Sequence, residues 1–228
     1  ASTPRPAQDI RARERARPHD VVLYGATGFA GRLVAEELAA RYQDQLRWAM
    51  AGRNRDKLER LRDELAQSFP HVAQVPLILA DSRDRDSLDA MAAQAEVVCT
   101  TVGPYAKYGS ELVAACVAQC TDYCDLTGEV QWIRKMIDAH HDEAQDAGAR
   151  IVHCCGFDSI PSDLGTLLVQ EHVRAQTDQP CQKVDFFLMG ARGGFSGGTV
   201  ASMINLLEEA SQDRQVRRTM GHPYALNP

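Results

Sequence analysis

A glycine-rich segment near the N-terminus constrains the fold of this chain more than any other feature. Apolar and β-branched residues lead into three glycines at three-residue intervals, Gly25, Gly28 and Gly31. A helix-forming stretch follows directly, so the pattern is strand, turn and helix. In such a turn the glycines permit a tight bend, close approach to a pyrophosphate and close helix–strand contact, and the helix N-terminus attracts phosphate. The segment predicts a dinucleotide-binding loop that includes Thr27 and Phe29; a phosphate-free turn is the alternative.

Strand and helix patterns alternate through most of the chain. Six strands are predicted, over 20–25, 47–52, 75–80, 96–102, 122–125 and 150–155. Helical patterns separate them, which is typical of βαβ units and a parallel sheet. The fold class is therefore α/β, a Rossmann-type doubly wound parallel sheet over residues 20–175. Pro76 lies in the third predicted strand and indicates an edge or strand-start position.

The end of the second strand indicates which dinucleotide is bound. NAD-specific folds place an acidic residue about twenty residues after the glycines, where it holds the ribose 2′-hydroxyl. Here the residue is Arg53, followed by a predicted helix cap at Asn54. A guanidinium can pair bidentately with a 2′-phosphate, so Arg53 predicts NADP; the alternative is a solvated basic helix start.

Two further strand ends are predicted to contact the cofactor. Asp81 ends the third strand, where it either meets the adenine edge or belongs to the cap region of the next helix. Val102, Gly103 and Pro104 follow the fourth strand, beside the topological switch point of a doubly wound sheet. We expect these three residues near the nicotinamide.

Composition excludes several function classes. A net charge of −6 argues against general nucleic-acid binding, and no apolar run approaches the ~18 residues of a transmembrane span. The seven cysteines contain no C-x-x-C pair and no zinc spacing, so we predict a reduced, cytoplasmic protein without a metal site. Residues 1–19 are rich in arginine and nearly free of apolar residues, which favours a disordered leader over a transit peptide.

The C-terminal residues 176–228 do not continue the alternation of strand and helix patterns seen in the domain before them. Residues 183–189 alternate like a strand, and a glycine-rich segment leads into an amphipathic helix with its apolar residues at Val200, Met203, Ile204 and Leu207. One strand and one or two helices cannot enclose a core. We expect a truncated substrate or dimerisation domain whose apolar face is mobile, docked on the first domain or buried in a homodimer.

The order of the motifs resembles that of a known family. The motifs are Gly25–Gly31, Ala51–Arg53, Thr101–Tyr105, Asp125–Glu129, Gly156–Leu164 and Gly193–Thr199. Together they resemble the saccharopine dehydrogenase-like oxidoreductases, and most of all the bacterial trans-acting enoyl reductases. Family members continue further, which favours a fragment. The segment 156–164 departs from the amino-acid-binding pattern of true saccharopine enzymes.

The resemblance implies an NADP-dependent oxidoreductase that reduces an α,β-unsaturated, small-molecule or carrier-bound acyl substrate of polyketide or lipid metabolism. The alternatives are a reductase of an amino-acid imine and a non-catalytic NADP-binding protein. Enoyl reduction needs a hydride at the β-carbon, a donor to the developing enolate and a proton at the α-carbon.

Two residues are predicted as catalytic. Tyr105 follows the fourth strand and could supply the proton or bond the enolate oxygen, unless it is an aromatic residue that packs on the nicotinamide. Tyr108 is a weaker variant of that prediction. Asp158 follows the sixth strand and faces the crevice, unless it and Ser159 cap the next helix. His153 is predicted to be a buried strand histidine.

Overall fold

The computed structural model describes residues 17–190, 192–194 and 196–227. Its six strands are β1 (His19–Tyr24), β2 (Trp48–Gly52), β3 (Leu77–Leu79), β4 (Ala95–Thr100), β5 (Asp122–Asp125) and β6 (Ile151–Val152). They form one parallel sheet in the order β3-β2-β1-β4-β5-β6. The order reverses between β1 and β4, which is the switch point of a doubly wound sheet. The predicted fold class is confirmed, and β3 lies at the edge.

Helices cover the two faces of the sheet unequally. The helices are α1 (Phe29–Tyr42), α2 (Arg55–Ser68), α3 (Arg85–Ala92), α4 (Tyr105–Tyr108), α5 (Ser110–Ala118), α6 (Val130–Ala147), α7 (Ile160–Thr177), α8 (Gly197–Gln212) and α9 (Arg214–Met220). Short 3-10 turns occur at Gln43–Gln45 and Pro70–Gln74. One core packs α1 and α2 against the β1–β2 side, around Leu23 and Leu58. The other packs α3, α5 and α6 on the opposite face, around Val98 and Trp132.

The periodicity of apolar residues predicted the positions of most helices and strands, because the residues of the apolar face of such an element are buried. Helix α2 begins at Arg55 and ends at Ser68, and its Leu58, Leu61 and Leu65, which are at helical spacing, are buried. The predicted cap is present, since Asn54 Oδ1 accepts a hydrogen bond from the Lys57 amide at 2.9 Å. Strand β6 is shorter than predicted, two residues instead of six.

The boundary predicted for the leader, at residue 19, lies too far along the chain. His19 already belongs to β1, and the Arg17 side chain is buried. The Arg17 guanidinium donates to the carbonyl oxygens of Ala92 at 3.2 Å and Gln119 at 2.8 Å, and also contacts Thr121 Oγ1. Arg17 thus holds the segment before β1 against the amino end of the sheet through these hydrogen bonds. The remainder of the predicted leader, residues 1–16, lies outside the described residues.

The C-terminal segment departs most from its prediction. Residues 183–189 form no strand, because none of the described strands lies beside them to supply hydrogen bonds. Helix α7 runs to Thr177, past the predicted boundary at 175, and no residue of it is buried. Helices α8 and α9 pack through Val216 and polar contacts onto the first domain. In the described part of the chain, no helix has both the length and the hydropathy of a membrane span.

Candidate functional site: a dinucleotide crevice at the carboxyl edge of the sheet

The loop between β1 and α1 is shaped by two glycines that the fold itself requires. Gly25 has φ +88°, and a Cβ there would lie 2.6 Å from Val102 Cγ2. A Cβ on Gly31 would lie 2.1 Å from the carbonyl oxygen of Gly25, because α1 packs directly on the turn. Both positions therefore exclude side chains before any ligand is considered.

Gly28 differs from its two neighbours. It is exposed at the N-cap of α1, with φ −78° and ψ 169°, and no side chain caps the helix there. A Cβ would meet only the Gly25 carbonyl oxygen, at 3.3 Å. Thr27 and Phe29 are exposed beside it. The helix N-terminus is therefore exposed and without a side-chain cap, which is the kind of position that attracts an anion.

The carboxyl ends of β2 and β3 bring Arg53 and Asp81 close to Tyr24. The two residues follow neighbouring strands, and the Ala80 amide donates to the Gly52 carbonyl oxygen at 3.1 Å. Both charges act on the hydroxyl of Tyr24. Burial, with a smaller contribution from Asp81, raises the pKa of Tyr24 to about 12.

Arg53 is exposed, and no ion pair to it occurs among the described residues. The nearby Arg55, by contrast, lies 3.8 Å from Glu59. Arg53 thus presents an uncompensated guanidinium beside the loop, as a 2′-phosphate requires. Asp81 Oδ1 accepts from the Arg83 amide at 3.0 Å, while Asp84 is the N-cap of α3.

The segment after β4 lies against the glycine loop. Thr101 Oγ1 donates to the Gly25 carbonyl oxygen at 3.2 Å, and the Val102 amide donates to Thr100 Oγ1 at 3.2 Å. Gly103 and Pro104, joined by a cis peptide, then lead into α4. The structure thus places Val102 beside the predicted phosphate loop, and Gly103 and Pro104 follow it in the chain.

Tyr105 is a packing residue in this structure, which corrects its prediction as a proton donor. Its side chain is 4% exposed and lies 5.6 Å from Trp132 between ring centroids. Its hydroxyl donates to the Thr100 carbonyl oxygen at 3.2 Å and accepts from the Leu126 amide at 3.4 Å. Burial raises the pKa of Tyr105 far above its usual range. The hydroxyl is committed to joining the ends of β4 and β5.

Asp158 remains exposed at the carboxyl edge and does not cap α7. Ser159 is the N-cap, but neither side chain accepts a capping hydrogen bond. The Asp158 carboxylate oxygens lie 2.9 Å and 3.6 Å from the positions that a Cβ would take on Gly156 and Gly128. The carboxylate therefore stands above the loops that follow β5 and β6.

Glu129 organises the region around α4, a role that the motif Asp125–Glu129 did not predict. Its side chain is buried and accepts hydrogen bonds from the amides of Tyr105 at 2.7 Å and Ala106 at 3.0 Å. A third donor is the Ser202 hydroxyl on α8, at 2.9 Å. The sequence offered only an acidic residue before a helix, which is common on protein surfaces.

A second buried carboxylate, Asp125, lies at the end of β5, four residues before Glu129. Asp125 accepts from Tyr123 at 2.8 Å and lies 2.6 Å from His153 Nδ1. His153 is also packed on Trp132, with ring centroids 5.1 Å apart. His153 was predicted to be a buried strand histidine; it follows β6 instead of lying in it, and its side chain is nearly buried. In the portion of the chain described, no group of three His, Cys, Asp or Glu side chains could hold a metal ion.

The sheet order, the glycine loop and the free arginine define a dinucleotide-binding domain of the Rossmann type. Residues 21–152 match the family described as the saccharopine dehydrogenase NADP binding domain, and the chain belongs to that family. This match confirms the predicted resemblance and the prediction of NADP for this domain.

Curated relatives carry a shared name. A provisionally named trans-acting enoyl reductase of Mycobacterium tuberculosis is 48% identical over 213 residues, covering 93% of this chain and 50% of its own length. The trans-acting enoyl reductase of Mycobacterium leprae is 44% identical over 211 residues, covering 92% and 50%. The chain thus spans about half the length of the curated relatives it matches.

A solved structure shows the same fold. Saccharopine dehydrogenase (L-Glu forming) from Saccharomyces cerevisiae superimposes with a TM-score of 0.55 at 22% identity, over 69% of this chain and 32% of that one.

Proposed function

We propose that this chain is the cofactor-binding part of an NADP-dependent oxidoreductase that reduces the double bond of an α,β-unsaturated acyl substrate. One observation carries the proposal: the open N-terminus of α1 at Gly28 and an arginine without an ion-pair partner among the described residues follow the carboxyl ends of the neighbouring strands β1 and β2. The similarity to proteins named trans-acting enoyl reductase supports the reaction type.

The proposed cofactor site has three parts. Gly25, Thr27, Gly28, Phe29 and Gly31 form the pyrophosphate loop; Arg53 and Asp81 hold the adenosine phosphate and the adenine edge; Val102, Gly103 and Pro104 border the nicotinamide. Arg53 would supply charge-assisted hydrogen bonds to the 2′-phosphate. The helix N-terminus would add its unpaired amides at the pyrophosphate.

In the proposed reaction the bound cofactor supplies a hydride to the β-carbon of the substrate. The chain must then stabilise the developing enolate and deliver a proton to the α-carbon. Asp158 is the proposed catalytic residue for proton delivery, because its carboxylate is exposed at the carboxyl edge and is not used as a helix cap. Tyr105 would position the nicotinamide end of the crevice through its packing between β4 and β5.

The finer features of the proposal concern the substrate and the surroundings. We propose that the substrate is a carrier-bound acyl group of polyketide or lipid metabolism. We also propose that the protein is cytoplasmic and forms a homodimer. The exposed apolar face of α8, with Met203, Ile204 and Leu207 at least half exposed, supports a contact with a second copy. Light scattering at two protein concentrations tests the dimer.

Cofactor binding and turnover test the proposal separately. NADPH fluorescence is titrated with this chain, and NADPH oxidation is then followed for the longest natural polypeptide that contains it. We expect NADPH to be oxidised in the presence of an enoyl thioester and not in the presence of the imine substrates from which saccharopine is formed. Oxidation with the imine substrates alone would favour an amino-acid reductase. Binding without any turnover would favour a non-catalytic NADP-binding protein.

A further inference from the structure

Two cysteines lie side by side at the carboxyl end of the sheet. Cys99 on β4 and Cys124 on β5 are register partners in a parallel ladder, so their side chains leave the same face of the sheet. This is the face opposite Val98 and Tyr123, which belong to the other core. Neighbouring strands run about 4.8 Å apart, which falls within the Cα separation that a disulfide spans.

The neighbouring thiols affect each other's ionisation. The proximity of the two sulfurs lowers the pKa of Cys99 and raises that of Cys124. Both side chains are half-buried, so a small oxidant has access. The thiolate is the nucleophile in thiol oxidation, so Cys99 is the thiol that reacts first.

We propose that Cys99 and Cys124 form a peroxide-sensitive dithiol whose closure to a disulfide weakens the dinucleotide site. The Cys99 thiolate attacks one oxygen of hydrogen peroxide, the O–O bond breaks, and a sulfenic acid and hydroxide form. The Cys124 sulfur then attacks the Cys99 sulfur, the S–O bond breaks, and water leaves with the Cys124 proton. The two thiols lose two electrons, and the peroxide is reduced to water.

The link to the cofactor site runs along β4. Cys99 precedes Thr100 and Thr101, and Thr101 Oγ1 binds the Gly25 carbonyl oxygen. A covalent tie between β4 and β5 would displace this strand end relative to the glycine loop. This consequence rests on the proposed function, whereas formation of the disulfide does not.

The protein is treated with hydrogen peroxide, its remaining thiols are alkylated, and the peptides are mapped by mass spectrometry. We expect a mass loss of about 2 Da in the linked 99–124 peptides and reversal by a dithiol reductant. NADPH affinity should fall by about fivefold or more on oxidation. C99S and C124S should abolish both effects, while C155S, which removes the exposed neighbouring thiol, should retain them.

Other results would overturn the proposal. Reduced Cys99 and Cys124 after oxidation, or a disulfide from either one to Cys155, would exclude this pair. A 99–124 disulfide with unchanged NADPH affinity would exclude the link to the cofactor site. Failure of the reduced protein to bind NADPH would instead count against the proposed function, since the peptide map is read independently of it.

Discussion

The Ser202 hydroxyl on α8 donates a hydrogen bond of 2.9 Å to Oε1 of the buried Glu129 carboxylate. The same carboxylate accepts from the first amides of α4, at Tyr105 and Ala106. Glu129 therefore joins three parts of the chain at one point: the loop after β5, the segment that follows the cis Gly103–Pro104 peptide, and helix α8. This contact holds α8 across the carboxyl edge of the sheet.

Removing either partner of this contact should have unequal effects. Glu129→Ala leaves buried amides of α4 without an acceptor, so we expect a loss of about 1–3 kcal/mol in the free energy of unfolding. Ser202→Ala removes one donor and should cost about 1 kcal/mol or less. Urea denaturation measures both. Equal losses would mean that the amides of α4 find another acceptor.

Substitutions at two of the loop glycines, Gly31 and Gly28, should affect folding and cofactor binding separately. Gly31→Ala should destabilise the fold by about 1–3 kcal/mol, because its Cβ collides with the Gly25 carbonyl oxygen. Gly28→Ala should fold, since its Cβ meets one atom at 3.3 Å, but should lose NADPH affinity. Circular dichroism melts and NADPH titration measure the two effects. Normal NADPH binding by Gly28→Ala would place the phosphates elsewhere.

Arg53 should determine the choice between NADPH and NADH. Charge-assisted hydrogen bonds to a phosphate are worth about 1.5–3 kcal/mol, so Arg53→Ala should weaken NADPH binding about tenfold or more and leave NADH binding nearly unchanged. Arg55→Ala is the matched control, because Arg55 is already near Glu59. Calorimetric titration of both cofactors decides the matter. An equal loss in both variants would indicate a general charge effect.

Asp158 should affect turnover more than cofactor binding. Loss of a group that transfers a proton costs about 10²-fold or more in rate, so Asp158→Asn should lower kcat by that order at unchanged NADPH affinity. Asp163→Asn, in the exposed first turn of α7, is the control. The rates are measured with an enoyl thioester. An unaltered kcat would assign proton delivery to another group.

His19 should make the fold sensitive to acid. Burial, reinforced by the charge of Arg47, lowers the pKa of His19 in the folded protein. The unfolded chain then binds a proton below about pH 6.5 that the folded chain excludes, so stability falls as the pH drops through this value. His19→Asn should flatten this slope, whereas the exposed His222→Asn should not. Urea denaturation at several pH values tests this.

The local pattern of the sequence determined the class of fold and the cofactor loop. Strand, glycine turn and helix are read from neighbouring residues, and a parallel sheet follows from alternating strands and helices. The N-cap of helix α2 at Asn54 is a local feature and was predicted from the sequence. Arg53 could likewise be found by counting from the glycines.

Tertiary structure alone decided which side chains are available for chemistry. The sequence is the same for a tyrosine with a free hydroxyl and for one whose hydroxyl is hydrogen-bonded between two strand ends. The hydroxyl of Tyr105 is of the second kind. The segment 183–189 alternates like a strand but needs a partner strand to become one. The buried roles of Glu129 and Arg17 depend on residues far along the chain, such as Ser202 and Thr121. Local periodicity carries no information about such contacts, because long-range packing and hydrogen bonding set them.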